Sequence, residues 1–310
     1  MRIIVAGGTG FLGAPLCASL ASAGHEVIAL SRRAPATNRH PGQVWTGTAG
    51  VSAAAWTGRD DLTGWGHVVD GAEAVINLAG ESIAARRWSD EHKSLMRESR
   101  LSTTRAIGRA ISAATRPPAT LLNASAVGYY GSRGDTRLVE RSDPGDDFLA
   151  RLTVEWEAEA LRAGGATTRV AMLRTGVVLE RDGGALAKML LPFRLFAGGP
   201  IGTGGQFMSW IHRADWVALA TWLLSQAEGG PFNATAPEPV TNADFSRALG
   251  AVLHRPSWLP APAFAMKTLL GEMADALLLG GQRVIPQRAL ELGFAFQFPT
   301  LDLALADIFG

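Results

Sequence analysis

The sequence of 310 residues is poor in several residue types, and each shortage narrows the range of possible functions. A single cysteine, Cys17, excludes an intrachain disulfide and a cysteine-rich zinc site. The six histidines include no pair at His-x-x-x-His or His-Glu-x-x-His spacing, so we predict no metal site. Lysine occurs three times and tyrosine twice, so chemistry that depends on either side chain has few candidate residues.

Charge and hydropathy exclude further classes of protein. The chain has 29 Lys plus Arg and 28 Asp plus Glu, and a formal net charge of +1 predicts no broad attraction to nucleic acid or anionic membranes. The sequence has no signal-peptide pattern, and no apolar run approaches the roughly 18 residues of a membrane-spanning helix. We therefore expect a cytoplasmic monomer or homodimer that acts on a small molecule, with no nucleic-acid or membrane partner.

The pattern of apolar residues predicts an α/β protein. Hydrophobic residues make up 47% and charged residues 18% of the chain, as in folded globular proteins. Helical patterns, clearest at residues 89–114 and 147–163, separate short continuous apolar runs that are typical of a parallel sheet covered on both faces. These runs lie at residues 2–6, 26–30, 74–79, 120–125 and 169–174. The sequence thus predicts a Rossmann-type, doubly wound parallel sheet, but residues 34–70 have too weak a pattern to place a strand.

The alternation of short apolar runs and helical patterns ends at about residue 180. We predict a nucleotide-binding domain over residues 1–180, whose sheet is completed by about 210–235, and a smaller C-terminal α+β cap over 181–310 that takes the substrate. A short last helix is expected at 301–308. The cap is predicted to bury a set of large apolar residues, Met189, Leu190, Leu191, Phe193, Leu195 and Phe196.

A glycine-rich turn follows the first predicted strand and opens a helix. Gly7 allows the tight turn, Gly10 allows the backbone to approach a pyrophosphate, and Gly13 allows helix and strand to pack closely. The helix start offers free N–H groups and the positive end of its dipole to the phosphates. Strand, turn, helix and second strand stand in the expected order, so the motif predicts a dinucleotide site that also includes Thr9, Phe11 and Leu12.

The end of the second strand indicates which dinucleotide is bound. An NAD site places an acidic residue there to bind the ribose 2′-hydroxyl. This chain instead has Ser31, Arg32 and Arg33, which could hold a 2′-phosphate through a hydroxyl and a bidentate guanidinium. The alternative is that both arginines are solvated loop residues. The position favours NADP(H) as the cofactor.

Further motifs follow the glycine turn, at residues 76–81, 98–105, 125–131, 173–179 and 209–215. In kind and order they resemble the extended short-chain dehydrogenase/reductase superfamily. The resemblance is stronger to its atypical branch of epimerase family proteins, the YfcH or SulA-like group. Residues 270–272, 282–286 and 293–296 resemble that branch's C-terminal domain of unknown function.

The resemblance implies an NADP(H)-dependent oxidoreductase or epimerase-like enzyme on a small polar, sugar-nucleotide-like substrate. It implies that the backbone at Leu78, Ala79 and Gly80 contacts the adenosine side. From its own position in the sequence, Arg100 could hold a cofactor phosphate or an anionic substrate; the alternative is a surface ion pair with Glu98 on the same helix. The nicotinamide end is expected to contact Arg174, Thr175, Gly176 and Val178. His212 and Asp215 match a motif that is largely structural in this superfamily.

The superfamily's Tyr-x-x-x-Lys pair is missing from this sequence. Four positions after Tyr129 stands Arg133, four after Tyr130 stands Gly134, and no lysine lies between Lys93 and Lys188. Residues 148–152, where the pair is usually found, are Phe-Leu-Ala-Arg-Leu.

Two hypotheses follow from this absence. Another group of residues could transfer the proton, for which the candidates at predicted strand ends are Tyr130, Ser125 and Glu81. Alternatively, the protein binds NADPH without turnover, as a sensor or an assembly factor, and these residues only pack.

Overall fold

The computed structural model describes residues 1–31, 50–58, 62–165 and 167–310. The first half contains β1 (Arg2–Ala6), α1 (Gly13–Ser22), β2 (Glu26–Ser31), β3 (Val51–Ala55), β4 (Ala74–Asn77), α2 (Asp90–Ala113), β5 (Thr120–Ala126), β6 (Arg137–Leu138) and α3 (Phe148–Ala163). The second half contains β7 (Arg169–Thr175), β8 (Val177–Leu179), α4 (Gly184–Arg194), β9 (Phe207–Met208), β10 (Trp210–His212), α5 (Arg213–Leu223), β11 (Gly230–Ala234), β12 (Val240–Thr241), α6 (Asn242–Val252), α7 (Ala263–Leu270), α8 (Glu272–Ala274), β13 (Arg283–Val284), α9 (Gln287–Glu291) and α10 (Leu301–Phe309).

Seven of these strands form one parallel sheet in the order β11-β7-β5-β4-β1-β2-β3. This confirms the predicted doubly wound sheet, and β3 is the strand that the sequence could not place. The chain runs outward from β1 to β3 and then crosses to β4, on the other side of β1. The strand order therefore reverses between β1 and β4, where open α/β sheets bind their ligands at the carboxyl ends of the strands.

The two faces of the sheet carry separate cores. Along β1, Ile3 and Val5 point to a core formed with α1 and α5, while Ile4 and Ala6 point to a core formed with α2 and α3. All four side chains are fully buried. Because both faces are covered, the strands are continuously apolar rather than alternating, as the sequence indicated.

The C-terminal part packs α4, α6 and α10 around the fully buried Trp210. Leu190 and Phe193 of α4 are buried there as predicted. The same prediction was wrong for Leu191, Leu195 and Phe196, which are exposed. Leu191 lies on the side of α4 opposite the buried stripe of Leu186, Leu190 and Phe193, and Leu195 and Phe196 follow the end of the helix at Arg194.

Two polar residues tie this part to the sheet. The carboxylate of Asp215 on α5 accepts hydrogen bonds from the backbone N–H groups of Gln297 (2.8 Å) and Phe298 (2.9 Å). His212 caps α5, since its Nδ1 accepts from the N–H of Ala214 at 3.1 Å. Both residues are therefore structural, as their motif implied. In the ranges that the structure describes, no helix is long and apolar enough to cross a membrane.

Candidate functional site

The turn between β1 and α1 is shaped by positions that have no room for a side chain. Gly7 has a φ of +77°, a conformation that glycine adopts readily. A Cβ on Gly13 would meet the Gly7 carbonyl oxygen and come within 2.7 Å of the Gly8 Cα. A Cβ on Gly10 would lie 3.3 Å from the same oxygen. The close contact of turn and helix that the sequence predicted is therefore present.

The start of α1 faces this turn without a capping side chain. Leu12 is the N-cap residue, and among the described residues no side chain accepts a hydrogen bond from the first turn of the helix. In the first turn, Ala14 donates its N–H to the Gly10 carbonyl (3.0 Å) and Pro15 has no N–H, so the N–H of Gly13 is the one without a protein acceptor among the described residues. An anion at this point would accept from it and would also interact with the helix dipole. Turn and helix start together fit the pyrophosphate of a dinucleotide.

The loop after β4 forms the second wall of the crevice and is held by α2. The N–H of Leu78 donates to the Ala6 carbonyl (2.9 Å), which places this loop directly beside the glycine turn. Arg100 Nη1 donates to the carbonyls of Glu81 and Met96, both at 3.0 Å. Burial lowers the pKa of Arg100 to about 10, although Glu81 opposes the shift. Arg100 therefore supports the loop from behind, and phosphate binding by its remaining N–H groups stays a prediction.

A ladder of buried polar side chains, which was not predicted from the sequence, lies beneath this loop. Asn77 Nδ2 donates to Asn123 Oδ1 (2.7 Å) and to the Thr104 hydroxyl (3.1 Å). Trp156 Nε1 donates to the same hydroxyl at 3.0 Å. The free carbonyl oxygen of the Asn77 side chain accepts from the N–H of Ala79 at 3.2 Å. The ladder thus fixes the position of the crevice wall through residues of two strands, β4 and β5, and two helices, α2 and α3.

The ends of β5 and β7 lie over a second buried network, centred on Arg174. Its guanidinium donates to both carboxylate oxygens of Glu157, each at 2.8 Å, and the side chains are 3% and 9% exposed. Its Nη1 also donates to the Glu140 carbonyl (2.9 Å) and the Tyr130 hydroxyl (3.0 Å). Hydrogen bonds with Glu157 raise the pKa of Arg174 despite the largest contribution, burial, which lowers it. Arg174 therefore stays charged inside the protein.

The prediction that the Arg174 side chain lines the nicotinamide end is not supported, because all its nitrogens face this network. The neighbouring side chains are similarly occupied. The Thr175 hydroxyl accepts from Trp216 Nε1 (3.1 Å), and Val178 packs in the core shared with α1 and α5. Gly176 brings the chain against the backbone of Ser209. Contact between residues 174–178 and a nicotinamide stays a prediction for their main chain.

Tyr130 belongs to the same network and is 0% exposed. Its hydroxyl accepts from Arg174 and donates to Asn233 Oδ1 at 2.7 Å. Burial is the largest influence on its pKa and raises it to about 12. This position explains why Tyr130 does not suit the role of proton donor: its hydroxyl is satisfied on both sides and closed to a substrate.

The other two catalytic candidates lie apart from each other. The Ser125 hydroxyl donates to Glu157 Oε1 at 2.5 Å and is buried in the network. Glu81 is half-buried at the crevice wall, where its N–H donates to the Ser99 hydroxyl (3.0 Å). Of the three predicted catalytic residues, Glu81 is therefore the one that is not buried.

Tyr129, which the sequence analysis passed over, has the opposite environment from Tyr130. It is partly exposed, and the Arg174 guanidinium stacks on its ring with Cζ 3.4 Å from the ring centroid. Its hydroxyl has no hydrogen-bond partner among the described residues and is not buried.

The sequence does contain one indication of the buried network around Arg174. An arginine within the apolar run Val-Ala-Met-Leu-Arg needs a buried partner.

The predicted 2′-phosphate site is described only in part. Ser31 is buried at the end of β2, while Arg32 and Arg33 lie outside the described residues. On α3, Phe148 stands at the first position and packs edge-on against Trp88, with ring centroids 5.4 Å apart.

The sheet, its switch point and the uncapped helix define a Rossmann-type nucleotide-binding protein. The family model described as "NAD dependent epimerase/dehydratase family" matches residues 3–235, and a "domain of unknown function (DUF1731)" matches residues 261–308. The chain belongs to the NAD-dependent epimerase/dehydratase family.

Relatives of known sequence or structure match the whole chain. Human epimerase family protein SDR39U1 is 40% identical over 312 residues, which cover 99% of each protein. A crystal structure of that human protein (isoform 2) with NADPH has a TM-score of 0.85 at 38% identity and covers 99% of both chains. The nucleoside-diphosphate sugar epimerase from Corynebacterium glutamicum has a TM-score of 0.77 at 33% identity and covers all of this chain but 58% of that one.

Proposed function

We propose that this protein binds NADPH across the carboxyl ends of β1, β4 and β5 and uses it to reduce a small polar, sugar-nucleotide-like substrate. The observation that carries the proposal is the turn from Gly7 to Gly13. It leaves an uncapped helix start beside a crevice, in a chain similar throughout to a protein crystallised with NADPH. NADPH supplies a hydride from nicotinamide carbon 4 when bound.

The residues of this chain have separate parts in the proposal. The amides of the α1 start hold the pyrophosphate, and the loop at residues 78–80, fixed by Asn77 and Arg100, lies against the adenosine side. Ser31, Arg32 and Arg33 bind the 2′-phosphate. Residues 181–310 close the crevice over the substrate. The proposal includes a cytoplasmic location and a monomeric or homodimeric state.

The proposed substrate class rests on a similarity to one relative. The Corynebacterium protein, 33% identical, is named as a nucleoside-diphosphate sugar epimerase. Sugar hydroxyls and carbonyls interconvert by hydride transfer, which suits a nicotinamide cofactor.

Isotope transfer tests the proposal. The protein is loaded with NADPH that carries deuterium at either face of nicotinamide carbon 4 and is mixed with a metabolite extract, and mass spectrometry follows the label. We expect label from one face to appear in a metabolite, which would identify the substrate class. A Gly13→Ala variant, deprived of the cofactor site, serves as the control.

A second candidate function is NADPH binding without turnover, as in a sensor or an assembly factor. The burial of the Tyr130 and Ser125 hydroxyls within the network of Arg174 and Glu157 favours it. Label retained on the bound cofactor from both faces, across extracts of different composition, would support this function over the first.

A further inference from the structure

We infer that Tyr129 is the catalytic phenol of this protein, the group that gives a proton to the substrate oxygen as the hydride arrives. The inference rests on the proposed function. It begins from a count: the chain has two tyrosines, adjacent in sequence, and their hydroxyls are in opposite environments. Tyr130 is closed inside the protein, whereas the Tyr129 hydroxyl is open and without a protein partner in the described part of the chain.

The position of Tyr129 in the fold supports this role. It lies in a short 3-10 helix, Val127–Tyr130, directly after β5. The strand β5 neighbours β4 in the sheet, so this turn lies at the same edge as the loops that follow β1 and β4. Ligands of open α/β sheets bind at this edge, and Tyr129 therefore stands beside the predicted cofactor crevice.

Arg174 holds the ring of Tyr129 from one face. Its guanidinium, fixed by Glu157 and by the Glu140 carbonyl, cannot follow the ring if the ring turns. A fixed orientation is what a proton donor needs. The charge above the ring also offsets the negative charge left on the oxygen once the proton has gone.

The step balances without a further reactant. The hydride adds to the carbonyl carbon of the substrate, and NADPH is oxidised to NADP⁺. The O–H bond of Tyr129 breaks, its proton bonds to the carbonyl oxygen, and an alcohol forms. Water then returns a proton to the tyrosinate. Tyr130 takes no part and serves to anchor the turn through Arg174 and Asn233.

Fluorine NMR tests the placement without knowledge of the substrate. Protein labelled with 3-fluorotyrosine gives two signals, which Tyr129→Phe and Tyr130→Phe assign. We expect NADPH and NADP⁺, whose nicotinamides differ in charge, to place the Tyr129 signal at two different positions. Adenosine 2′,5′-bisphosphate, which lacks the nicotinamide, should leave it unmoved. A Tyr129 signal that does not distinguish NADPH from NADP⁺ would overturn the inference.

Label transfer from deuterated NADPH tests the chemistry. Tyr129→Phe should slow the transfer at least about 100-fold and change NADPH affinity by less than about threefold, because general acids contribute 10²–10⁴-fold. Tyr130→Phe is the matched control and should transfer label. Transfer by Tyr129→Phe at the wild-type rate would refute the acid role.

If calorimetry detects no NADPH binding, the proposed function and the inference both fail. If the wild type binds NADPH but transfers no label, turnover and the acid role fail, while the fluorine signals still decide whether Tyr129 faces the nicotinamide.

Discussion

One side of the crevice is formed mainly by backbone, and the other is formed mainly by buried side chains. The side formed by β1, α1 and the loop after β4 is mainly backbone, brought together at Gly7 and Gly13 where a side chain would collide. The side formed by the ends of β5, β7 and β11 is mainly buried side chains, joined in the network of Arg174, Glu157, Tyr130 and Asn233. The first side therefore requires glycine, which has no side chain, at these two positions. The second side requires that every hydrogen-bonding partner in the network is present.

The difference predicts different responses to substitution. On the side formed by backbone, an added side-chain atom prevents the close approach of the turn and the helix. It therefore affects both ligand binding and the conformation of the turn. On the side-chain side, a lost atom leaves a charge or a hydroxyl unpaired in the interior, where such groups are costly.

The largest effect is expected from Arg174→Met. The substitution leaves the Glu157 carboxylate buried without its partner, and we expect the free energy of unfolding to fall by about 3–5 kcal/mol. Urea unfolding measures it. Arg162→Met is a matched control, because Arg162 and Glu159 are also 2.8 Å apart but the arginine side chain is 70% exposed. The control should lose at most about 1 kcal/mol.

A second variant separates charge from packing. Glu157→Leu combined with Arg174→Met removes both charges, and it should recover more than half of the stability lost by Arg174→Met alone. Equal losses in Arg174→Met and Arg162→Met would contradict the view that burial of the ion pair distinguishes this side of the crevice.

On the backbone side, Gly13→Ala should weaken NADPH binding by at least about 100-fold and destabilise the fold by about 1–3 kcal/mol. The added Cβ would meet the Gly7 carbonyl, and backbone there can move only if the turn opens. Titration calorimetry measures the binding. Gly165→Ala is the control, since among the described residues, its chain neighbours aside, no atom lies within 4 Å of its Cβ position. Unchanged NADPH binding by Gly13→Ala would show that the turn is not the phosphate site.

The same contrast explains how much the sequence could predict. The glycine turn, the strands and the long helices follow from local rules, such as glycine spacing and short apolar runs, and these predictions were confirmed. Fold class therefore followed from the sequence.

The network of Arg174 could not be predicted in the same way, because its members are far apart in the chain. Tyr130 and Asn233 are 103 residues apart, and Glu140 and Arg288 are 148 apart. Trp156 and Glu157 are neighbours on α3, and both side chains are buried. An arginine in an apolar strand indicates that a partner exists, not which acid provides it.

The smallest effect concerns Tyr130 and appears in alkali. Burial raises the pKa of the folded phenol from 10.0 to about 12. Below pH 10 the phenol is protonated in both the folded and unfolded states, so its contribution to stability is fully present. Between pH 10 and about 12 the unfolded chain ionises while the folded one does not, so the free energy of unfolding falls. The loss reaches about 2–3 kcal/mol at pH 12, at about 1.4 kcal/mol for each pH unit.

Tyr130→Phe isolates this contribution. The variant loses two hydrogen bonds and should be about 1–3 kcal/mol less stable at pH 8, but its stability should fall less steeply between pH 10 and 12. The buried thiol of Cys17, whose pKa burial also raises to about 12, contributes equally to both proteins and cancels in the comparison. Urea unfolding at pH 8, 10 and 11 measures both slopes. If the free energy of unfolding falls equally steeply with pH in both proteins, the Tyr130 hydroxyl is accessible to water. Tyr130 and Tyr129 would then no longer differ in exposure of the hydroxyl.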